Sequence, residues 1–548
     1  MLREDSKIKL LLQALILSLP LLSFETMIFL WVNKYSSVSP LLSKPIYVYV
    51  ICIIVLTVTY LFFYLKRIGD NLFIVSLLSV LMIISTSSSI FFALRVSDNS
   101  KYYSDRNKKI RHIFLITADA LRADGLSCYG NKEIQTPNLD KLARDSVFFK
   151  NAISPSSWTL PSLTSIQTGV SPTVHQTLKL NTGLSDKFMT LAEYLKEEKY
   201  KTAAIVRSPF LKPIYNLLQG FDDYYYFPRP FPSSVGPRIL RKLPLLKWHF
   251  DISTDYSTFF AKQWIEANKD KNFFLWIHYF DPHAPYTPPE KYLPEEKPNA
   301  KDRISYDRET AEKIRNKKYI PSPIQKKWIK RLYEGEVLYI DDYIGRLIKY
   351  LKGSGLYDSS LIIFSSDHGE EFWEHGGVEH MHTLYNELLF VPLMIKLPNS
   401  SVKENITVPI STQRIMPTIL DLCGIKINQE CLRAESLASL WKVGEEGLIP
   451  EPIISIDNFK ESVIFNNIKY IKYHKPEKEE LFDLLDDSRE TNSIVDNAPD
   501  YLETSRKALK AHFEMSKAIR SCLKIRPEKK INIDTDTLQS LKALGYVN

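Results

Sequence analysis

The sequence predicts an α/β protein built on a mostly parallel β-sheet with helices on both faces. From residue 110 onward, apolar runs typical of buried strands alternate with helical segments, and several of these strands end at an Asp or a His. Upstream, three apolar runs of about 20 residues each predict transmembrane helices. After residue 450, a hairpin pattern predicts a small antiparallel subdomain.

Length and composition bound the possibilities. At 548 residues the chain is too long for one simple core, so we expect more than one region. The net charge of +8 is modest for this size and is not the concentrated basic patch of a nucleic-acid-binding protein, so no nucleic-acid partner is expected. Cys423 and Cys431 are close enough in sequence for a disulfide, which would indicate an oxidising compartment. Two reduced thiols are an equally good interpretation.

The N-terminal membrane region is predicted over residues 1–98, with helices at 8–32, 46–65 and 72–94. The first run is too long, and too soon followed by others, for a cleaved signal peptide. With a cytoplasmic N-terminus, the inner segments carry Arg3, Lys7, Lys9, Lys66 and Arg67. The outer segments then carry Lys34, Lys44, Arg95, Lys101, Arg106, Lys108, Lys109 and Arg111. The lipid bilayer is thus an expected partner, but the charge distribution leans against an external globular domain.

The globular region starts at residue 110 and follows a regular alternation of elements. The predicted strands are 111–117, 147–153, 201–206, 273–280 and 361–365, and the predicted helices are 136–146, 191–199, 253–269 and 323–353. Residues 208–252, rich in Pro and aromatic residues, are expected to be an irregular excursion over the active face. Residues 287–321, rich in Lys, Glu and Pro, are expected to be a long surface insertion.

Polar side chains follow several predicted strands directly. Asp119 ends the first strand, His283 follows the strand 273–280, and Asp367 and His368 follow the strand 361–365. Open α/β sheets bind ligands beyond the carboxyl ends of their strands. Carboxylate and imidazole groups together can bind a divalent cation. Four of the chain's 11 histidines also fall within residues 368–382, which supports a functional site there.

Thr159 opens a predicted helix in the segment SSWTLPSLTSIQTG, with Pro161 just inside it. A hydroxyl residue at this place is usually only an N-cap. A helix N-terminus also offers free N–H groups and positive potential, which suits a nucleophile that attacks an anionic ester. The segment alone leaves both interpretations open.

The region 450–548 is predicted to be a smaller appended subdomain. Residues 461–465 and 468–474 flank Asn466 and Asn467, a pattern that predicts a hairpin with a two-residue turn. An acidic stretch follows, then a helix over residues 499–520 and a short terminal helix.

Several blocks, in this order along the chain, together resemble the sulfatase family of the alkaline phosphatase superfamily. They are ITADALRADGLSCYG, TPNLDKLARDS, SSWTLPSLTSIQTG, HYFDPHAPYTPP, YEGEVLYIDDYIGRLI, SSDHGEEFWEHGG, LYNELLFVPL, ELFDLLDDSRE and LKALGYV. The resemblance is to the bacterial membrane-anchored branch, which includes lipid-headgroup phosphotransferases. It implies the alkaline-phosphatase-like fold, with a catalytic domain over residues 110–449 that is completed by residues 450–548.

The resemblance also implies roles for individual residues. It implies one divalent metal ion with the ligands Asp119, Thr159, Asp367 and His368. Thr159 falls at the position of the family's nucleophile. His283 resembles the substrate-side histidine of the family's PH segment, and His380 stands where a cationic or hydrogen-bonding side chain usually lies near the transferred group. Both histidines are thus expected to be catalytic and to bind substrate.

Two departures from the family pattern bear on the reaction. Hydrolytic sulfatases carry a Cys or Ser that is oxidised to formylglycine, with an Arg four residues later, whereas this chain has Thr159 and Leu163. A second acidic residue commonly follows the first metal-binding Asp, and here it is Ala120. We therefore expect a membrane-anchored enzyme that hydrolyses or transfers a phosphate-type ester through Thr159. A sulfuric ester hydrolase acting without formylglycine is the alternative, and a non-catalytic binding module on the same fold is a third.

The cofactor, substrate and location follow from the same resemblance. A ligand set that contains histidine favours Mn²⁺ or Zn²⁺ over Ca²⁺, with Mg²⁺ also open. The family implies work outside the cytoplasm on lipid-headgroup or polysaccharide esters. We place this expectation above the charge distribution, because the bias of short loops predicts topology only statistically.

Overall fold

The structure, a computed structural model, describes residues 110–227, 254–429, 431–432, 435–442, 444, 451–525, 529–544 and 546–547. All of these belong to one compact unit, Arg106–Asn548. The three predicted transmembrane helices lie outside the described residues. Within the described ranges, no helix is both long and apolar enough to span a bilayer.

Strands and helices alternate along the described chain. The strands of the main domain are β1 His112–Ala118, β2 Val147–Ile153, β3 Thr182–Gly183, β4 Lys201–Val206, β5 Asp223–Tyr226, β6 Phe273–Tyr279, β7 Leu361–Ser366, β8 Glu371–Phe372, β9 Val378–Glu379, β10 Phe390–Lys396, β11 Asn405–Ile406 and β12 Ile410–Ser411. The helices are α1 Pro137–Arg144, α2 Thr159–Thr168, α3 Pro172–His175, α4 Leu191–Glu197, α5 Thr254–Asn268, α6 Arg308–Arg315, α7 Pro323–Gly353, α8 Asn386–Leu389, α9 Ile415–Leu422 and α10 Ala438–Lys442.

The large sheet has nine strands among the described residues, in the order β11-β2-β10-β7-β1-β6-β4-β5, with β12 also paired to β2. Its pairs are parallel except for those of β10 with β2 and with β7. The central strands β1, β6 and β7 are buried along their whole length. Their nearly continuous apolar runs reflect this burial, because a parallel sheet is covered by helices on both faces. The predicted α/β class and mostly parallel sheet are thus confirmed.

A second sheet lies in the C-terminal region and is antiparallel. It consists of β13 Ile453–Asp457, β14 Lys460–Phe465, β15 Ile468–His474 and β16 Glu477–Asp483, in sequence order. The predicted hairpin is confirmed, because Asn466 and Asn467 adopt positive φ values of 51° and 64° between β14 and β15. The region ends with α11 Pro499–Cys522, β17 Lys529–Lys530 and α12 Thr535–Ala543.

Three local predictions differ from the structure. Residues 208–252 are not wholly irregular, because β5 pairs in parallel with β4 as an edge strand; residues 228–253 lie outside the described part. The segment 287–321 is not only a surface insertion, since it contains α6 and buries Tyr306, whose hydroxyl donates to Glu379. Cys431 forms a disulfide with Cys522 rather than with Cys423. Sequence proximity suggested the wrong cysteine partner, because folding brings α11 next to Cys431 across 91 residues.

Candidate active site

The carboxyl ends of four strands meet at one edge of the large sheet. Strands β6 and β7 both run parallel to β1, and β2 has the same direction as β7 because each is antiparallel to β10. Asp119 follows β1, His283 follows β6, Asp367 follows β7, and Thr159 begins the helix α2 after β2. The strand directions therefore bring residues from four distant parts of the sequence to one place.

Four buried side chains converge there, namely Asp119, Thr159, Asp367 and His368, each with an exposed fraction of 0%. The Thr159 Oγ1 atom lies 3.5 Å from Asp119 Oδ1 and 3.3 Å from His368 Nε2. The His368 Nε2 atom lies 3.5 Å from Asp119 Oδ1 and 3.6 Å from Asp367 Oδ2. Ligand atoms arranged tetrahedrally at bond lengths typical of Zn²⁺ are separated by about 3.4 Å. The observed spacings therefore suit a shared cation.

The hydrogen bonds of Asp367 and His368 leave one atom of each directed at this centre. Asp367 Oδ1 accepts from the backbone N–H groups of Ala120, at 3.1 Å, and His368, at 2.8 Å. Asp367 Oδ2 is buried with no hydrogen-bond partner among the described residues. His368 Nδ1 lies 2.8 Å from the carbonyl of Gly369, which can only accept, so Nδ1 carries a hydrogen and Nε2 is the ring nitrogen available to a metal ion. The residues present thus fit a divalent metal ion.

The electrostatics of the cluster also favour a cation. Burial, together with the charge of Asp119, raises the pKa of Asp367 to about 6. Burial opposes protonation of His368, but the two neighbouring carboxylates raise its pKa to about 9. Burial likewise opposes ionisation of Asp119, yet its pKa lies well below the usual range because His283, His278 and His368 face it. At neutral pH, a metal ion that binds here would therefore take the place of a proton on His368.

His278 lies beside the cluster and was not predicted as a site residue. Its Nε2 atom is 3.3 Å from Asp119 Oδ2, so Asp119, His278 and Asp367 also form a possible ligand group. However, Trp276 Nε1 donates to Thr117 Oγ1, which leaves the Thr117 hydroxyl hydrogen for His278 Nδ1 at 2.9 Å. His278 Nδ1 then accepts this hydrogen bond, so the ring hydrogen is on Nε2, which donates to Asp119 Oδ2. We therefore assign His278 to holding Asp119, and prefer His368 as the imidazole ligand.

The loop after β7 is held closely in place. Ser366 Oγ lies within hydrogen-bond distance of the Leu121 N–H and of the Ala118 and His368 carbonyls, and Ser154 Oγ donates to the Asp367 carbonyl. Gly369 is required here, because a Cβ atom at this position would lie 2.0 Å from the carbonyl oxygen of Glu387. Small residues around Asp367 and His368 thus let neighbouring backbones approach and fix both side chains.

Thr159 is the first residue of α2, and its hydroxyl does not act as a simple N-cap. The N-cap position is Trp158, whose backbone is extended and whose side chain caps nothing. The Thr159 hydroxyl instead faces Asp119 and His368. The positive end of the helix dipole lies at the same place, which favours an anion beside Thr159.

A second group of polar side chains lies next to this cluster, where the His380 ring centroid is 4.4 Å from that of His368. His283 Nδ1 donates to the Ala284 carbonyl at 2.7 Å, while its Nε2 lies 2.7 Å from the Tyr546 hydroxyl. His380 Nδ1 lies 2.7 Å from Glu370 Oε1, and its Nε2 lies 2.8 Å from the same hydroxyl. The two histidines thus direct their Nε2 atoms at one point. Burial raises the pKa of Glu370 to about 7 and lowers the pKa values of both histidines.

The structure thus brings together all six residues predicted from the sequence: Asp119, Thr159, His283, Asp367, His368 and His380. His382 lies aside with Glu371, at 2.5 Å, and His375 with Glu387, at 2.7 Å. His278, Glu370 and Tyr546 were missed. His278 could have been noticed as a polar residue inside an otherwise apolar strand. Tyr546 could have been noticed because it belongs to the LKALGYV block that resembles the family.

Comparisons with known proteins bear on this geometry. The family model described as Sulfatase matches residues 111–425, more than half of the chain. An arylsulfatase of Clostridium perfringens is 26% identical over 72% of this chain and 91% of its own length. Human iduronate 2-sulfatase is 28% identical over 56% of this chain and 62% of its own length.

Solved structures share the same fold. The phosphonate monoester hydrolase of Agrobacterium radiobacter aligns with a TM-score of 0.60 and 20% identity, over 78% of this chain and 98% of that protein. A protein solved in complex with its substrate D-glucosamine-2-N,6-O-disulfate aligns with a TM-score of 0.58 and 20% identity, over 77% and 99%. The alkaline-phosphatase-like fold is confirmed by these likenesses. Since the family model spans the strands that carry Asp119, Asp367 and His368, we conclude that this chain is an enzyme of the sulfatase family.

Proposed function

We propose that this enzyme hydrolyses or transfers a phosphate-type ester through a covalent intermediate on Thr159. The observation that carries the proposal is the Thr159 hydroxyl, buried between Asp119 and His368 at the start of α2. Threonine has a single hydroxyl and is not converted to formylglycine. Leu163, buried in α2, offers no polar atom where the family's arginine would stand.

The chemistry of a single hydroxyl favours phosphorus over sulfur. A formylglycine hydrate has two hydroxyls, so after one is sulfated the other can expel the sulfate. A threonine ester has no second hydroxyl and must be released by attack at the central atom. Phosphoryl groups are transferred by such in-line attack, which makes a phosphothreonine intermediate a workable one.

A divalent metal ion held by Asp119, Thr159, Asp367 and His368 would lower the pKa of a bound hydroxyl and neutralise charge on the ester. The chain's own residues then orient the reaction. Thr159 Oγ1 gives its proton to Nε2 of His283 or His380 and forms the new bond to phosphorus as the bond to the leaving oxygen breaks, and the N-terminus of α2 favours the anionic group. The same Nε2, which now carries the proton taken from Thr159, supplies it to the leaving oxygen. Glu370 and the Ala284 carbonyl fix the orientations of these two rings.

The second step reverses these roles. Water or an acceptor alcohol gives its proton to the same imidazole and attacks phosphorus, and the imidazole returns that proton to Thr159 Oγ1 as its bond to phosphorus breaks. The metal is proposed to be Mn²⁺ or Zn²⁺ before Mg²⁺ or Ca²⁺, because the ligand set includes an imidazole.

Variants at Thr159, assayed on two esters, test the proposal. Thr159→Ala should lower kcat on an aryl phosphodiester or phosphonate monoester by at least about 10²-fold, because it removes the nucleophile. Thr159→Ser keeps a hydroxyl and should retain measurable turnover. Thermal unfolding of all three proteins checks that the fold is intact. Full activity of Thr159→Ala would reject the nucleophile.

Sulfate ester hydrolysis without formylglycine is the second candidate, and the names of the curated relatives favour it. It uses the same residues and differs in the ester. Parallel assays of the wild-type enzyme on an aryl phosphodiester and an aryl sulfate separate the two. A higher kcat/KM for the sulfate would select this candidate over ours.

The substrate class and location belong to the same proposal. We infer a lipid-headgroup or polysaccharide ester outside the cytoplasm, reached by a catalytic domain anchored through residues 1–98. The Cys431–Cys522 disulfide supports this side of the membrane, because such bonds persist in oxidising compartments. Curated relatives include an ulvan-active sulfatase and an N-acetylglucosamine-6-O-sulfatase, which supports a polysaccharide. Protease added to intact cells or spheroplasts should cleave the catalytic domain, and protection until lysis would contradict this topology.

A further inference from the structure

The C-terminal segment reaches the candidate active site and places Tyr546 in it. The Tyr546 hydroxyl lies 2.7 Å from His283 Nε2 and 2.8 Å from His380 Nε2, the two atoms directed into the site. One phenol oxygen therefore contacts both imidazoles that are proposed to transfer protons.

Packing fixes the position of this tyrosine. Its ring meets Phe210 edge to face, with 4.7 Å between centroids, and Phe210 packs against Trp158, the residue before Thr159. The Tyr546 N–H donates to the carbonyl of Leu541, whose side chain is fully buried at the end of the short terminal helix α12. The C-terminal segment thus packs against Phe210 and, through it, against the residue that precedes Thr159.

Further contacts anchor α12 to the main domain. Lys212, buried two residues after Phe210, forms an ion pair with Asp536 and donates to Thr537 Oγ1 at 3.1 Å. Upstream, β17 pairs with β3 through Lys529 and Lys530. The segment that carries Phe210 and Lys212 is thus bound directly to α12, the helix that precedes Tyr546.

We propose that Tyr546 is a substrate-contacting residue of the active site, with its hydroxyl donating a hydrogen bond to the group transferred to Thr159. A phenol has one hydrogen, so it can donate to one neighbour at a time. An anionic ester beside Thr159 offers several acceptor oxygens within reach of this donor. Burial and the nearby carboxylates keep the pKa of Tyr546 well above its usual range, so the hydroxyl remains a donor. The inference rests on the proposed function, since it assumes that Thr159 is the reacting residue.

Tyr546→Phe removes only the hydroxyl and keeps the ring against Phe210. We expect kcat/KM to fall at least about tenfold, because a donor aimed at the reacting group is lost. Inhibition by inorganic phosphate should also weaken, which a purely structural role of the hydroxyl would not cause. The unfolding temperature should change little. Tyr501→Phe, the same substitution at a half-exposed tyrosine of α11, is the matched control and should leave kcat/KM unchanged.

Two outcomes would overturn the inference. An unchanged kcat/KM for Tyr546→Phe would show that the hydroxyl does not assist the reaction. An increased kcat/KM would show that the C-terminal segment obstructs the site instead. Each variant is compared with the wild type on whichever ester the wild type turns over, including an aryl sulfate. A sulfate preference would therefore reject the phosphate proposal while leaving this test valid.

Discussion

Asp119 and Asp367 determine the chemistry of the site at the scale of single residues. Burial raises the pKa of Asp367, and repulsion by the neighbouring Asp119 carboxylate raises it further. The His368 Nε2 atom lies within 3.6 Å of a carboxylate oxygen of each, so both negative charges act on the imidazole. Burying these charges together destabilises the folded state but creates a strong attraction for a cation. Perturbed carboxylates of this kind are common at functional sites.

Asp367→Asn should separate metal binding from folding. Removing one carboxylate should weaken Mn²⁺ or Zn²⁺ binding at least about tenfold, because a charged ligand becomes neutral. The metal-free variant should unfold at the same or a higher temperature than metal-free wild type, because the repulsion with Asp119 is relieved. Calorimetric titration and thermal unfolding measure both effects. Asp496→Asn, on the exposed surface, should change neither.

A different pattern would contradict this assignment. If Asp367→Asn bound the metal as tightly as wild type, Asp367 would not be a ligand. If the metal-free variant were strongly destabilised, the carboxylate would serve the fold instead.

Residues at strand ends could be predicted from the sequence, and others could not. Asp119, Asp367 and His368 follow apolar strands directly, so the local pattern revealed them. Tyr546 lies far along the chain, and only the packing of α12 brings it to His283. The pairing of Cys431 with Cys522 depends in the same way on tertiary structure that no local pattern encodes.

At the scale of elements, the site depends on where β7 ends and how the loop after it is tied down. His375 holds this loop by lying 2.7 Å from Glu387 Oε1 and 3.1 Å from the Glu490 carbonyl, and its ring stacks on Tyr385. Burial opposes its charge, but these partners raise the pKa of His375 from 6.5 to about 9. The loop is thus linked to the C-terminal region by a charged histidine.

His375→Gln should therefore destabilise the protein in a pH-dependent way. Because the folded-state pKa lies above the unfolded value, the contribution of the charged form is fully present below pH 6.5 and is lost as the pH rises through about 9. The difference in unfolding free energy between wild type and variant should reach about 1–3 kcal/mol at pH 6 and shrink by pH 9.5. Denaturant unfolding at both pH values measures it. A difference that is constant with pH would exclude the charged pair.

Regular elements with strong apolar patterns were predicted within a few residues. The long helix α7 and the strands β2 and β4 coincide with their predicted ranges. The edge strand β5 was missed because its run of tyrosines has no clear alternation, and it becomes a strand only by pairing with β4. Edge strands depend on their neighbours more than on their own sequence.

At the scale of the whole molecule, one sheet edge gathers Asp119, Asp367, His368, Thr159 and the two histidines His283 and His380, and the C-terminal region contributes Tyr546. Family membership accounts for the first part. Thr159, which stands where formylglycine sulfatases carry Cys or Ser, is the reason for our proposal of a phosphate-type ester.

Mass spectrometry of enzyme quenched during turnover of a phosphonate monoester or phosphodiester tests this claim most directly. We predict that the peptide containing Thr159 gains the mass of the transferred phosphoryl or phosphonyl group, and that Thr159→Ala protein shows no such adduct. Turnover of the same ester with an unmodified Thr159 peptide, or an adduct on another residue, would contradict the covalent mechanism.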